Sequence, residues 1–238
     1  MELHVSFGDI VLTPTLVTSL IITGVLMIFF MICGLVIKKA DPTKPSKGFM
    51  GFIEFIYSTV LGFVSESVGE KATKYLPYVV MIAAYLALAN TVGLFGLTPP
   101  TTEFSLTLSL VLVTLAYIMI SGIVAKGMGG YLKDTYMGDV PKPMLILFLP
   151  LNIIGETSKI ISMSFRLFGN MMSGALLLGL VSQFFEWLFH LSVGMGLILP
   201  VLNLFLNAYF DIFAGLMQTF VFCTLMMIWI QGATERET

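Results

Sequence analysis

Charge is what this 238-residue sequence has least of: 12 Lys and Arg against 14 Asp and Glu, 11% of the chain, net -2. A soluble domain of this length carries roughly 25% charged residues. The deficit leaves too little polar surface to cover a water-soluble globule, so lipid must be the main solvent. No basic block points to nucleic acid, and no acidic tail points to a disordered solvating arm. The two cysteines, Cys33 and Cys223, sit in apolar runs without paired spacing or His neighbours. They suggest packing, with neither a disulfide nor a metal site. No glycine-rich phosphate cradle followed by Lys-Ser/Thr is present, and no cofactor pattern. The chain is therefore not expected to be an enzyme by itself. Met1 to Asp9 lacks the basic region of a signal peptide, so the first apolar run reads as a retained span.

What is present is apolar length: 57% hydrophobic residues and a mean hydropathy of +0.97. A bilayer core of about 30 Å needs roughly 20 apolar residues in a helix. The expected fold is an all-α integral membrane domain over 1–238, with about five membrane-crossing helices and one surface helix. Spans are expected at 11–37, 76–98 and 104–125. Residues 48–74 place Phe49, Phe52, Ile53, Ile56, Val60 and Phe63 at helical spacing among Glu54, Glu66 and Glu70. That pattern predicts an amphipathic helix at the membrane surface. Lys38, Lys39, Lys44 and Lys47 follow the first span, and Lys126, Lys133 and Lys142 follow the third. The positive-inside rule then puts the N-terminus outside and the C-terminus in the cytoplasm.

Two segments, 144–188 and 191–232, are too long to stand upright. Thirty-eight residues of uninterrupted helix alone would extend roughly 57 Å at 1.5 Å per residue. They must be broken, for which Pro200 is a candidate, or form a steeply tilted hairpin tracking a neighbour in the bilayer.

Arg166 sits deep in the first of these, the only arginine outside the C-terminal tail. A central arginine costs roughly 3 kcal/mol on insertion scales, and it cannot shed its proton. At 100° per residue, Gly155, Glu156, Ser158, Lys159, Ser162, Gly169, Asn170 and Ser173 fall within about 80° of it. One stripe is thus small, polar and charged, suited to a close helix neighbour or a water-filled path. Asn203, Asn207, Asp211, Gly215 and Gln218 form a second stripe within about 80° of Asp211. Asp211 reads as a functional intramembrane carboxylate, or as a salt-bridge partner of Arg166 or Lys159. Glu186 and His190 lie near the turn, lining a vestibule or simply solvated. Glu103 reads as a solvated external residue, and His4 has no assignable role.

Arg166-Leu167-Phe168-Gly169-Asn170 resembles the R-[LI]-[FY]-G-N signature of F-type ATP synthase subunit a. Asn90-Thr91-Val92-Gly93-Leu94 with Pro100-Thr101, Lys47-Gly48 to Tyr57, Pro150 to Lys159, and Gln218 are similar to family segments in the same order. The resemblance covers about residues 40 to 230. It implies one span, a surface helix, two spans and a tilted hairpin embracing a rotor ring of c subunits. It also implies ATP synthesis coupled to hydrogen ion transport (or Na+ transport) in a bacterial inner membrane, with peripheral-stalk b subunits and the rest of the complex as partners. Arg166 then matches the arginine facing the rotor carboxylates; Asn170 and Gln218 match polar positions near it. Glu156 is a plausible lining residue, with Lys159 in the same stripe. The chain departs from the family where relatives carry an acid shortly after the motif, since Ala175 stands there. Asp211 stands where several carry His or Glu, seven before the glutamine, and is expected to act as the relay from the opposite helix. A freestanding ion transporter or channel is the alternative, requiring internal repeats that the sequence does not display. A structural scaffold would leave the arginine stripe unexplained.

Overall fold

The computed structural model describes residues 5–7, 10–39, 48–69, 72–137, 141, 144–191, 201, 204–206 and 208–234. The fold is all-α apart from one feature that periodicity did not suggest. Strands β1 (Val5–Phe7) and β2 (Ile10–Leu12) pair antiparallel ahead of the first helix. They are separated by Gly8-Asp9, residue types suited to hairpin connections. Helix α1 (Pro14–Lys39) therefore begins three residues later than the apolar run, where a proline suits the first helical position.

Helix α2 (Phe49–Val68) is shorter than the expected 48–74 segment. Gly69, at φ 63, turns the chain out of the helix, and the following residues Ala72 to Lys74 already belong to the next one. Helix α3 (Ala72–Thr91) passes into a 3-10 turn, Val92–Phe95, ended by left-handed Gly96. Helix α4 (Phe104–Lys126) leads into the short α5 (Met128–Leu132) and a π turn, Lys133–Met137. Helix α6 (Leu145–Leu191) is unbroken for 47 residues, with Pro150 within its first turns. At 1.5 Å per residue it extends roughly 70 Å, more than twice a hydrocarbon core of about 30 Å. A π turn at Tyr209–Ala214 precedes α7 (Gly215–Thr234). Pro200, Asn203, Asn207 and the His190 side chain lie outside the described residues, as do the C-terminal charges.

Among the described residues, six helices, α2 included, are long and apolar enough to cross a membrane by length and composition. Their hydrophobic side chains largely face outward: Met27, Ile28, Met31 and Leu35 of α1 are all exposed. That is the arrangement expected when lipid is the solvent. α7 packs against α2, α3 and α4, whereas α6 packs chiefly on α4 and sparingly on α7. The shared core contains Tyr75, Leu86, Val111, Met163, Leu167, Phe222 and Met226. Ile22 and Leu26 of α1 meet Ala89 of α3 and Val92 of the turn that follows it. Cys33 and Cys223 are buried free thiols.

Glu103 departs from the solvated reading. Its carboxylate accepts hydrogen bonds from Thr15 Oγ1, from Ser105 Oγ at 2.9 Å and from Thr13 Oγ1 at 3.4 Å. The turn before α4 is thereby tied to the start of α1, a long-range contact that sequence spacing cannot reveal. These hydrogen bonds, that from Thr15 foremost, hold its pKa below the usual glutamate value. A depressed carboxyl stabilises the fold above its unfolded value and loses that contribution as pH falls through the folded one. Acidification through that range should lower the melting temperature of the detergent-solubilised protein. Glu103→Gln should lower it at neutral pH and flatten this part of the acid limb.

Candidate functional site

The sequence around Arg166 builds a helix with two unlike faces. Met163, Ser164, Leu167, Met171 and Gly174 are buried, and they point along one side of α6. Arg166 lies about 100° around the helix from Leu167 and is exposed. Gly155, Ser158, Ser162 and Ser173 are exposed with it. Glu156, Lys159, Gly169 and Asn170 are half-buried. The polar stripe is therefore the open edge of α6, and its charged flank turns toward the bundle. Phe165 and Phe168, on either side of the arginine, bracket the Phe104 ring at 5.2 and 5.7 Å. This aromatic contact fixes the rotation of α6 against the start of α4.

Two cavities touch α6 on opposite sides of Arg166 in sequence. The first, about 290 Å³, reaches α6 at Asn170, Met171, Gly174, Ala175 and Leu178. Its remaining wall comes from the turn between α3 and α4 and from Phe210 and Asp211. Asp211 is half-buried on the π turn before α7. Asp211 and Ala175, from different helices, thus share one cavity wall. Among the described residues, no ion pair joins Asp211 to Arg166 or Lys159, so the salt-bridge reading is not what the structure contains.

The second cavity, about 660 Å³, reaches α6 at Ile153, Glu156, Thr157, Lys159 and Ile160. It lies toward the other end of α4, beside Lys126, Asp134 and Trp229. Lys159 pairs with Glu156, three residues before it, and its ammonium also sits 5.6 Å from the centre of the Trp229 ring. Lys126 pairs with Asp134 at 3.0 Å. The Tyr131 ring packs where a Gly122 side chain would be, 2.5 Å from the position of its Cβ. Burial pushes the Tyr131 phenol up from its ordinary value. Sequence reasoning missed Lys126, Asp134, Tyr131 and Trp229 because their roles depend on a turn folding back over the bundle.

Gln218 is buried in α7, in the same helix face as Gly215 and Phe222. Asn90 is fully buried: its Nδ2 donates to the Gly215 carbonyl at 3.2 Å, and its Oδ1 accepts from Thr101 at 3.0 Å. Glu186 is exposed near the end of α6. Among the described residues, no cluster of three His, Cys, Asp or Glu side chains could hold a metal ion.

Residues 17–231 match the family described as ATP synthase A chain. The chain belongs to that family. It is 30% identical over 211 residues to "ATP synthase subunit a" of Mycoplasma pneumoniae, covering 84% of this chain and 72% of that protein. It is 36% identical over 190 residues to the Helicobacter hepaticus subunit a, covering 78% and 76%. The Propionigenium modestum relative, named "ATP synthase subunit a, sodium ion specific", is 29% identical over 198 residues, covering 76% of this chain and 62% of its own. As an ATP synthase subunit a, the chain is a multi-pass membrane component of the synthase and serves as its ion-channel stator. A rotor-free transporter is not favoured.

Proposed function

We propose that Arg166 is the fixed charge separating two half-channels, and that its open stripe faces the carboxylates of a c-subunit rotor ring. The carrying observation is the placement of the arginine: exposed on α6, with one cavity before it in sequence and another after it. An unpaired guanidinium facing lipid would be costly. Facing a carboxylate that arrives and leaves, the same charge favours the ionised rotor site and repels a cation taking the direct route. In this reading Asp211 and Asn170 line the outer half-channel, and Glu156 and Lys159 line the inner one. Gln218 supports the arginine region from α7. The coupled ion, H+ or Na+, enters by one cavity, rides the ring and leaves by the other.

The positive-inside rule supports an external N-terminus and a cytoplasmic C-terminus in a bacterial plasma membrane. The cavity beside Lys126 then opens inward and the cavity beside Pro99 opens outward. Helix α2, with exposed Glu66 and few buried residues, lies along the membrane surface. Nucleotide chemistry belongs to other subunits, and peripheral-stalk b subunits hold this one still.

Aqueous accessibility tests the assignment. Ala175→Cys should react with a membrane-impermeant thiol reagent added outside, and Thr157→Cys with the same reagent added inside. Labelling of both from one side, or of neither, would contradict separate half-channels.

A further inference from the structure

The cavity that holds Asp211 has an unusual wall at Gly93. A Cβ built on Gly93 would lie 2.7 Å from Asp211 Oδ2, 3.2 Å from its Cγ and 3.4 Å from its Oδ1. The backbone does not require glycine there: Gly93 is absent from the positive-φ residues, which are Gly48, Gly69, Gly96 and Gly127. What the position requires is room, and the group that fills the room is a carboxylate. One helical turn earlier the relation is reversed. A Cβ on Gly215, four residues after Asp211, would lie 2.9 Å from Asn90 Cβ. Gly215 likewise has ordinary helical φ, -63. Each chain segment thus supplies a glycine against the other, Gly93 against the Asp211 carboxylate and Gly215 against the Cβ and backbone of Asn90.

Asn90 adds a directional element. Its Nδ2 holds the Gly215 carbonyl, at the residue that ends the Tyr209–Ala214 π turn. A π turn shifts the backbone register and leaves its carbonyls less regularly paired than in an α-helix. Asn90 is itself fixed by Thr101 from the turn before α4. The end of α3 therefore fixes both the backbone that carries Asp211 and the notch that receives its carboxylate.

We propose that Gly93 and Asn90 are positioning residues for ion transfer: Gly93 provides the seat of the Asp211 carboxylate, and Asn90 locks the π turn that aims it. The proposal rests on the assignment of Asp211 to the outer half-channel. The atom nearest the Gly93 notch is the far end of a movable side chain, so Gly93→Ala displaces the carboxylate with little effect on the fold.

The test is passive ion flux through the membrane sector of the assembled complex in vesicles, measured across pH. Wild type, Gly93→Ala, Asp211→Asn and Gly93→Ala/Asp211→Ala are compared, with assembly checked by co-purification. Gly93→Ala should assemble, reduce flux by about tenfold, and move the pH midpoint of the remaining flux by about half a unit or more. Normal flux with an unmoved midpoint in Gly93→Ala, while Asp211→Asn is impaired, would overturn the Gly93 seat and leave the Asp211 assignment standing. Normal flux in Asp211→Asn would overturn both. If Gly93→Ala does not assemble, recovery of assembly in Gly93→Ala/Asp211→Ala would identify the carboxylate as the clashing group and uphold the seat. No recovery would mean that Gly93 serves another part of the fold, and the proposal falls.

Discussion

Replacing Asp211 by asparagine should lower ATP-driven ion uptake roughly a hundredfold while the complex still assembles. The side chain keeps its shape and loses the capacity to take and release the ion. Its location gives the prediction a sharper form. Asp211 lines the same cavity as Ala175, which the family resemblance places where many relatives would carry an acid after the arginine motif. Ala175 is exposed, so a longer side chain can point into that space. Introducing Ala175→Glu beside Asp211→Asn should restore uptake to within about tenfold of wild type. Rescue would show that the half-channel needs one carboxylate and tolerates either helix as its carrier. Without rescue, but with assembly intact, the cavity would depend on Asp211 for a reason other than carrying the relay.

Much of this architecture was legible because lipid imposes simple rules. Continuous apolar length marks α1, α3 and α4, and the uninterrupted run after Pro150 marks the excess length of α6. The stripe around Arg166 was equally legible, since a 100° rotation per residue needs only the sequence. What the periodicity could not supply was the rotation of that stripe relative to neighbours. Burial of Met163, Leu167 and Met171 along one side of α6 sets Arg166 on the open edge, while Lys159 and Asn170 are half-buried. The 48–74 segment divides because Gly69, at φ 63, turns the chain out of α2, and the apolar spacing stops at Val68. The solvated reading of Glu103 fails for a different reason. Its Thr15 partner lies 88 residues away and belongs to another helix, so only the folded contact identifies it. The Asp211 carboxylate was visible as an intramembrane acid, but its seat against Gly93 was hidden in a glycine that could equally have served a turn.

Arg166→Ala carries the largest expected effect. A unit charge about 4 Å from a carboxylate contributes roughly 4 kcal/mol at an effective dielectric of about 20. That corresponds to about three decades in the ionisation equilibrium of the group it faces. Alanine removes that bias and the barrier between the cavities together, so the ring carboxylate no longer releases its ion on schedule. The variant should still assemble, because Arg166 is exposed and the packing face of α6 is untouched. The deciding measurement is ATP-driven ion uptake in inverted membrane vesicles, with wild type and Arg166→Ala compared at matched amounts of intact complex. Uptake at background level in fully assembled Arg166→Ala is the predicted result. Coupled uptake at the wild-type rate would mean that Arg166 is structural, and that ions pass through this subunit without the fixed charge.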